Sequence, residues 1–204
     1  MIDRLLEHFR GENVAVACVY CDFQDHERQT AANKLGALTK QVVNALKMVP
    51  PEIEEEFKRA GSEIGGRGLQ VSETVKLLGR ALAPMRRTFI CIDAIDECSD
   101  KHLSQLLTSL QTVSQTSPGF RLFITGRPHI RSAVERYLPE SAQFIPFSPN
   151  RQDIREYLEM RLKHDSGSED MTLALKADIM KRIPEKIPDV YVMVNSIIEA
   201  ASDR

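Results

Sequence analysis

The stretch Thr88–Asp100 has the sequence TFICIDAIDECSD and indicates most clearly how this chain folds. Its first five residues, Thr88–Ile92, predict a strand that is buried on both faces. An acidic cluster of Asp93, Asp96 and Glu97 follows at once. Carboxylates at the carboxyl end of a buried strand are costly unless they hold a cation or polarise a water. The stretch therefore predicts an α/β domain with a ligand site at the end of this strand.

The chemistry of such a cluster is known from nucleotide-hydrolysing α/β domains. There, an aspartate directly after the strand holds Mg²⁺ on the phosphates, and a neighbouring acid orients the attacking water. Asp93 has the first position, and Asp96 and Glu97 are candidates for the second role. A strand-end turn with helix-capping acids is the simpler alternative, but three acids within five positions favour the phosphate–Mg²⁺ interpretation.

Strands and helices alternate along the chain. Apart from the acidic strand, apolar runs predict strands at Val14–Phe23, Phe120–Thr125 and Gln143–Phe147. Helical periodicity fills the intervals, and Ser72, Asp100 and Asn150 are the predicted N-caps of three helices. The alternation predicts a mainly parallel sheet with helices on both faces. The tail from Asp170 onwards is expected to be helical, with Val190, Val194 and Ile197 on its last face.

A second motif follows the strand Phe120–Thr125. The strand ends in Thr125, Gly126 and Arg127, about 30 residues after the acidic cluster. A hydroxyl and a guanidinium beside an acidic strand end suit contact with a terminal phosphate, which Arg can bind through two hydrogen bonds. Alone the motif is also compatible with a surface Arg before a turn. The acidic cluster makes the nucleotide-binding interpretation stronger.

The stretch Gly61–Gly68, GSEIGGRG, has the glycine spacing of a phosphate loop but not its chemistry. Arg67 stands where that motif requires Lys, and Gly68 stands where it requires Ser or Thr. The stretch also follows a charged helix, whereas a phosphate loop joins a strand to a helix. We therefore predict a flexible connector.

Composition excludes several other classes. Of the 204 residues, 42% are hydrophobic and 27% are charged, and the formal net charge is −2. This charge gives no general attraction to nucleic acid or anionic membrane. No run approaches the ~18 apolar residues of a membrane span, and the amino terminus mixes charged and apolar residues, unlike a signal peptide. A cytoplasmic protein is expected.

The four cysteines are Cys18, Cys21, Cys91 and Cys98. Cys18 and Cys21 have the spacing of a redox or zinc pair. They lie in a strand-like run, however, where a separation of three places side chains on opposite faces. No second ligand pair follows. The sequence favours reduced, buried thiols.

Four stretches together resemble the NACHT-type domain, a STAND P-loop NTPase, and above all its fungal form, which is similar to the N-terminal domain of nephrocystin-type proteins. They are VYCDF, FICIDAIDEC, FRLFITGRP and QFIPF followed by a capped helix. The resemblance implies a P-loop NTPase-like three-layer sandwich plus C-terminal helices. It implies a nucleotide-binding core over residues 1–148 and a helical subdomain over 149–204.

The resemblance also implies roles for individual residues. Asp93 would be the Walker B aspartate on Mg²⁺, and Asp96 and Glu97 would be the downstream acids, one of which activates water. Arg127 would contact the terminal phosphate, with Thr125 beside it. The intact family binds Mg²⁺ and ATP or GTP.

The chain departs from the family at its amino terminus. In the family, a strand and the loop GxxxxGK[ST] precede the helix that Ile2–Phe9 resembles, whereas Met1 stands at that place here. The absent strand is internal in the family's sheet, so two strands would be left unpaired beside a gap. Without the loop's Lys and hydroxyl, efficient hydrolysis is not expected, and this stretch alone is expected to bind neither nucleotide nor Mg²⁺ in the micromolar range.

Three hypotheses follow. The first is an incomplete nucleotide-binding switch module of a fungal-type signalling or self-recognition multidomain protein. The second is a non-enzymatic interaction scaffold that retains the NTPase fold. The third is an ATPase that obtains its phosphate loop from elsewhere. In the first two, the expected partners are other proteins or further copies of the chain, rather than nucleic acid or membrane.

Overall fold

The fold is built on a five-stranded β-sheet with the strand order β1-β2-β3-β5-β4. The structure is a computed structural model that describes residues 2–10, 12–25, 29–62, 69–138, 142–147, 150–164, 171–186 and 190–196. Within these ranges the strands are β1 (Val14–Tyr20), β2 (Arg87–Asp93), β3 (Phe120–Gly126), β4 (Ala142–Phe147) and β5 (Val190–Ser196). The helices are α1 (Ile2–His8), α2 (Ala31–Ala45), α3 (Pro51–Ser62), α4 (Val71–Leu82), α5 (Asp100–Thr116), α6 (Arg131–Tyr137), α7 (Arg151–His164) and α8 (Leu173–Lys186).

Three parallel strands form the part of the sheet that positions the site. β2 pairs in parallel with β1 on one side and with β3 on the other. Five consecutive residues of β2, Thr88–Ile92, are buried, as the apolar run predicted. The predicted α/β class with a mainly parallel sheet is confirmed. Because the three strands run the same way, their carboxyl ends lie along one edge.

The main core lies against one face of this sheet. Ile90 and Ile92 of β2 point into it and are fully buried or nearly so. Helices α2, α4 and α5 cover this face, and each contributes leucines at helical spacing. The fully buried leucines of these helices are Leu35, Leu38, Leu77, Leu78, Leu106, Leu107 and Leu110.

The opposite face carries the alternate residues of the same strands. Phe89 of β2 stacks on Phe9, which follows α1, with 5.2 Å between ring centroids. Phe89 also approaches Phe123 of β3, with the ring centroids 6.2 Å apart. The predicted arrangement of helices on both faces is therefore present in this part of the sheet.

The tail differs from the sequence-based expectation. Val190–Ser196 is a strand, whereas the prediction placed Val190 and Val194 on a helical face. The physical reason is that valine alternates with other residues in VYVMV, and β-branched side chains favour the extended backbone. Ile197, which was assigned to the same helical face, lies outside the described residues.

The resemblance implied a gap in the sheet with two unpaired strands, and the described strands form a continuous sheet instead. β5 lies inside the sheet, between β3 and β4. The neighbouring strands are therefore not left with unpaired edges at this position. An extra strand satisfies backbone donors and acceptors that would otherwise be buried or exposed without a partner.

Two of the three predicted N-caps are displaced. Helix α4 begins one residue before Ser72, and Gln70 is its N-cap; the Glu73 carboxylate accepts a hydrogen bond from the Gln70 backbone N–H at 2.8 Å. Helix α5 has Ser99 as its N-cap and begins at Asp100. The third prediction is confirmed, because Asn150 Oδ1 accepts from the Gln152 N–H at 3.0 Å at the start of α7.

The chain divides into two compact units. One runs to Ile145 and resumes at Val192, and the other comprises Pro146–Tyr191 with α7 and α8. The site described below belongs to the first unit. Among the described helices, none is both long and apolar enough to cross a bilayer.

A proline substitution tests the interior position of β5. Met193→Pro removes a backbone donor that an interior strand uses for its ladder, so we expect a loss of unfolding free energy about 2 kcal/mol larger than for Met193→Ala. Chemical denaturation of both variants measures the difference. Equal losses in the two variants would show that this strand is not held in the sheet.

Candidate functional site

Asp93 and Thr125 are joined at the ends of two neighbouring strands. The Thr125 hydroxyl donates a hydrogen bond to Asp93 Oδ1. The same hydroxyl oxygen accepts from the backbone N–H of Ala94 at 2.9 Å. Asp93 is exposed. The hydroxyl thus fixes one carboxylate oxygen, while the group remains open to solvent.

The chain turns sharply directly after Asp93. Ala94 has φ 53° and ψ 47°, the left-handed conformation, which a residue with a Cβ adopts at a cost of about 1 kcal/mol or more. The 3₁₀ turn Ile95–Glu97 follows, and Ile95 at its start is fully buried. The Glu97 N–H donates to the Ala94 carbonyl at 2.9 Å. Burial of Ile95 and this hydrogen bond stabilise a turn that holds Asp96 and Glu97 at the sheet edge.

Asp96 holds Arg127 in two ways. Its Oδ1 accepts from the Arg127 backbone N–H at 3.2 Å, and its Oδ2 lies 3.4 Å from Arg127 Nε. The Asp96 side chain is 5% exposed, whereas that of Arg127 is 62% exposed. Asp96 therefore acts on the inner side of the guanidinium, and the outer part of this cation faces solvent.

Gly126 lets Ile130 and Asp96 pack closely against the end of β3. A Cβ at this position would lie 2.6 Å from Ile130 Cδ1 and 3.2 Å from Asp96 Oδ1. Ile130 is itself buried, which leaves its side chain little room to move. The glycine in the TGR motif therefore has a packing role at the site.

Glu97 connects the acidic turn to the loop after β1. Its Oε2 accepts from the backbone N–H of Phe23 at 2.9 Å. Asp22, at the same strand end, accepts from the Gln24 N–H at 2.8 Å and so stabilises its own turn. All three parallel strands thus contribute to one hydrogen-bonded edge.

Two cavities border this edge. One, of about 540 Å³, is lined by Phe23, Asp96, Glu97, Cys98, Ser99 and Arg127. The other, of about 450 Å³, lies against the α1 side of the sheet, and Asp93 and Thr125 are among its lining residues. Four of the five predicted site residues therefore form two pairs, Asp93 with Thr125 and Asp96 with Arg127, which border different cavities; Glu97 lines the same cavity as Asp96 and Arg127.

Two cysteine thiols meet beside the acidic turn. The sulfurs of Cys21 and Cys98 are 3.3 Å apart. The hydrogen bond between them lowers the pKa of Cys98 to about 7. The Lys34 ammonium also lowers this pKa, whereas burial raises it. The same hydrogen bond and burial raise the pKa of Cys21. β1 ends at Tyr20, so Cys21 lies outside the strand. The alternation of side chains along a strand, which was used to separate Cys18 from Cys21, therefore does not apply to Cys21.

The residue types suit a magnesium ion held together with a phosphate ligand. Mg²⁺ is commonly held by one or two carboxylates, with waters and phosphate oxygens completing its shell. Asp93 offers one exposed carboxylate, and Thr125 offers a hydroxyl oxygen beside it. Within the described ranges, no group of three or more His, Cys, Asp or Glu side chains is arranged to hold a metal by itself. The described side chains therefore suit a hydrated cation with further ligands from outside the protein better than a permanently bound ion.

The five residues that the sequence predicted for the site lie at this edge of the sheet, and their functional roles stay predictions. Some neighbouring groups were not predicted. Phe23, Ser99 and the contact between Cys21 and Cys98 were missed. Cys98 lies within the DAIDEC motif, but Cys21, the cysteine that it contacts, is 77 residues away in the sequence. Such a contact depends on the register of β1 and β2, which a single sequence does not specify.

The fold and the site define the class of this protein. A parallel sheet flanked by helices, with acids and a threonine-arginine pair at the carboxyl edge, is an α/β sandwich of the P-loop-like type. The family model described as Nephrocystin 3, N-terminal matches residues 1–127, and the chain belongs to that family. The matched range includes the five site residues. No curated protein and no solved structure matches the chain significantly.

A glycine-to-alanine pair tests the packing at the site. Gly126→Ala should lower the free energy of unfolding by about 1–3 kcal/mol, because its methyl group overlaps Ile130 and presses on Asp96. The matched control is Gly79→Ala in α4, where a Cβ meets nothing within 4 Å. That control should stabilise the protein by about 0.5–1 kcal/mol, since alanine favours a helix. Urea denaturation checks both, and a neutral Gly126→Ala would contradict the packing role.

Proposed function

We propose that this chain is the core of a nucleotide-dependent switch of the NACHT type, with one side of a Mg²⁺–nucleoside triphosphate site at the carboxyl edge of its sheet. The observation that supports it most is the Asp93–Thr125 hydrogen bond at the ends of adjacent parallel strands. Ligands of open α/β sheets bind beyond these strand ends. A carboxylate fixed by a hydroxyl and still exposed is suited to a hydrated cation.

In this proposal Asp93 positions the magnesium ion. Thr125 fixes the orientation of the carboxylate by donating to one oxygen, and Asp93 remains exposed to solvent. Mg²⁺ gives up its waters reluctantly, and one oriented carboxylate holds it mainly through that water shell. The bound cation would neutralise the β- and γ-phosphates of ATP or GTP.

Arg127 is the proposed contact for the terminal phosphate. Asp96 binds its Nε and its backbone N–H, which orients the rest of the guanidinium away from the protein. Neighbouring strands are ~5 Å apart, and two residues span ~7 Å along a strand. Arg127 follows Thr125 by two residues, so one triphosphate is long enough to reach both Asp93 and Arg127.

The acids of the turn have different roles in this account. Asp96 is a positioning residue for Arg127, because its side chain is nearly buried and already hydrogen-bonded. Glu97 lines the 540 Å³ cavity and is the better candidate to orient a water, although it also holds the Phe23 N–H. Catalysis by either acid would require a phosphate held in place.

Efficient hydrolysis by this chain alone is not proposed. The motif GxxxxGK[ST] does not occur in the 204 residues. Positioning and electrostatic stabilisation supply most of the rate enhancement in phosphoryl transfer, and that loop provides both through its Lys and its backbone N–H groups. The proposed output is a nucleotide-dependent change in assembly with protein partners or with further copies of the chain.

A titration with Mg²⁺–ATP distinguishes the hypotheses. We expect binding only in the millimolar range, about −4 kcal/mol, because one arginine contacts the phosphates and one carboxylate holds the magnesium ion. NMR shifts of the backbone amides of 93–97 and 125–127 report it. Asp93→Asn, which keeps an oxygen for the Thr125 hydroxyl, should weaken the affinity about tenfold.

The matched control is Glu54→Gln, which removes the same charge from exposed helix α3, away from the sheet edge. It should leave the affinity unchanged. Saturable micromolar binding would contradict an incomplete site and favour a complete ATPase. No shift at the highest soluble Mg²⁺–ATP concentration, or shifts that Asp93→Asn leaves intact, would favour the interaction scaffold instead.

A further inference from the structure

The contact between Cys21 and Cys98 joins two loops of the site. Their sulfurs are 3.3 Å apart, and both are free thiols. A disulfide has an S–S distance of about 2.05 Å, so the sulfurs need to approach by only about 1.2 Å. Cys21 belongs to the loop after β1, and Cys98 directly follows Glu97 at the end of the acidic turn.

The two thiols differ in accessibility. Cys98 lines the open 540 Å³ cavity, where a small solute can reach it. Cys21 is 7% exposed and is not among the residues that line this cavity. Such a pair has the arrangement of an accessible attacking thiol and a shielded resolving thiol.

A buried cation accompanies the pair. Lys34 of α2 is 5% exposed, and its Nζ donates to the Gln29 carbonyl at 2.7 Å. Its positive charge acts on the Cys98 sulfur. An ammonium beside a cysteine sulfur favours the nucleophilic thiolate form. Burying this lysine is costly, and its place beside the thiols gives it a second partner besides the carbonyl.

We propose that Cys21 and Cys98 are an oxidation site that reacts with hydrogen peroxide and closes to a disulfide across the two site loops. This inference does not depend on nucleotide binding. It assigns Cys98 as the peroxide-reactive residue and Cys21 as the residue that resolves the product.

The reaction balances with peroxide as the oxidant. The Cys98 sulfur attacks one peroxide oxygen, the O–O bond breaks, and the leaving hydroxide takes up the thiol proton to become water. Cys98 is then a sulfenic acid. The Cys21 sulfur attacks the sulfenic sulfur, the S–O bond breaks, and the leaving hydroxide takes up the Cys21 proton to become a second water. Two thiols lose two electrons and two protons, and one peroxide is reduced to two waters.

The disulfide would fix the site edge. The Cys21 backbone N–H already donates to the Asp93 carbonyl at 2.9 Å, and the Phe23 N–H already donates to Glu97. A covalent link here closes a loop of about 77 residues and removes freedom from the unfolded chain. We expect the midpoint of thermal unfolding to rise by about 5 °C or more on oxidation, and reduction with dithiothreitol to reverse the rise.

The test is oxidation of the full chain with one equivalent of hydrogen peroxide under native conditions. The expected result is a protein that has lost two hydrogen atoms by intact mass and retains two of its four thiols. Trypsin leaves Cys18 with Cys21 in one peptide and Cys91 with Cys98 in another. The mass of the linked peptides therefore does not show which cysteines form the bridge. Two matched double variants identify them.

The variant Cys18→Ala/Cys91→Ala retains only the proposed pair and should form the bridge at the wild-type rate. The variant Cys21→Ala/Cys98→Ala retains the cross-strand neighbours Cys18 and Cys91, which share a register position in β1 and β2, and should keep both thiols. Circular dichroism checks that both variants fold. The single variant Cys21→Ala should accumulate a sulfenic acid at Cys98, which dimedone traps.

Three results of the oxidation experiment would each overturn the proposal. They are four unreacted thiols in the wild-type protein, a bridge that forms between Cys18 and Cys91, and oxidation of Cys98 to sulfinic acid without a bridge although Cys21 is present. Dimedone labelling that is equal in wild-type protein and Cys21→Ala would also contradict it, because it would show that Cys21 does not resolve the intermediate.

Discussion

The site depends on the two-sided burial of β2. Thr88–Ile92 are buried in succession, so the strand has to lie between two others and under helices. Its parallel pairing with β1 and β3 then brings three strand ends to one edge. The acidic turn, the loop after β1 and the TGR motif meet only because of this pairing. Without it, Asp93, Asp96 and Arg127 would be unrelated polar residues in separate loops.

Hydrogen bonds between these loops reduce the cost of collecting charges at one edge. Asp96 is nearly buried, and its two contacts with Arg127 compensate for the water it loses. Glu97 receives the Phe23 N–H, and Asp93 receives the Thr125 hydroxyl. The left-handed Ala94 is the local strain that this arrangement requires. Asp93 and Arg127 remain exposed, and the proposed nucleotide would bind on their outer sides.

Features that depend on residues close together in the sequence could be predicted, whereas contacts between distant residues could not. Buried strands, their order along the chain and the acids after β2 are local patterns, and the sequence showed them. The strand Val190–Ser196 was wrongly assigned to a helix, because Val190 and Val194 fit a helical face as well as an extended one. The Asp96–Arg127 pair and the Cys21–Cys98 contact join residues 31 and 77 positions apart, and they follow from strand register rather than from any local pattern.

A crystal structure of the chain grown with millimolar Mg²⁺ and ATP would show whether the nucleotide binds at the proposed site. We expect a hydrated cation beside Asp93 and the terminal phosphate within hydrogen-bonding distance of Arg127, with the Asp96–Arg127 pair retained. A nucleotide bound away from the carboxyl edge of β2 and β3, or an Arg127 that stays turned away from the phosphates, would contradict it.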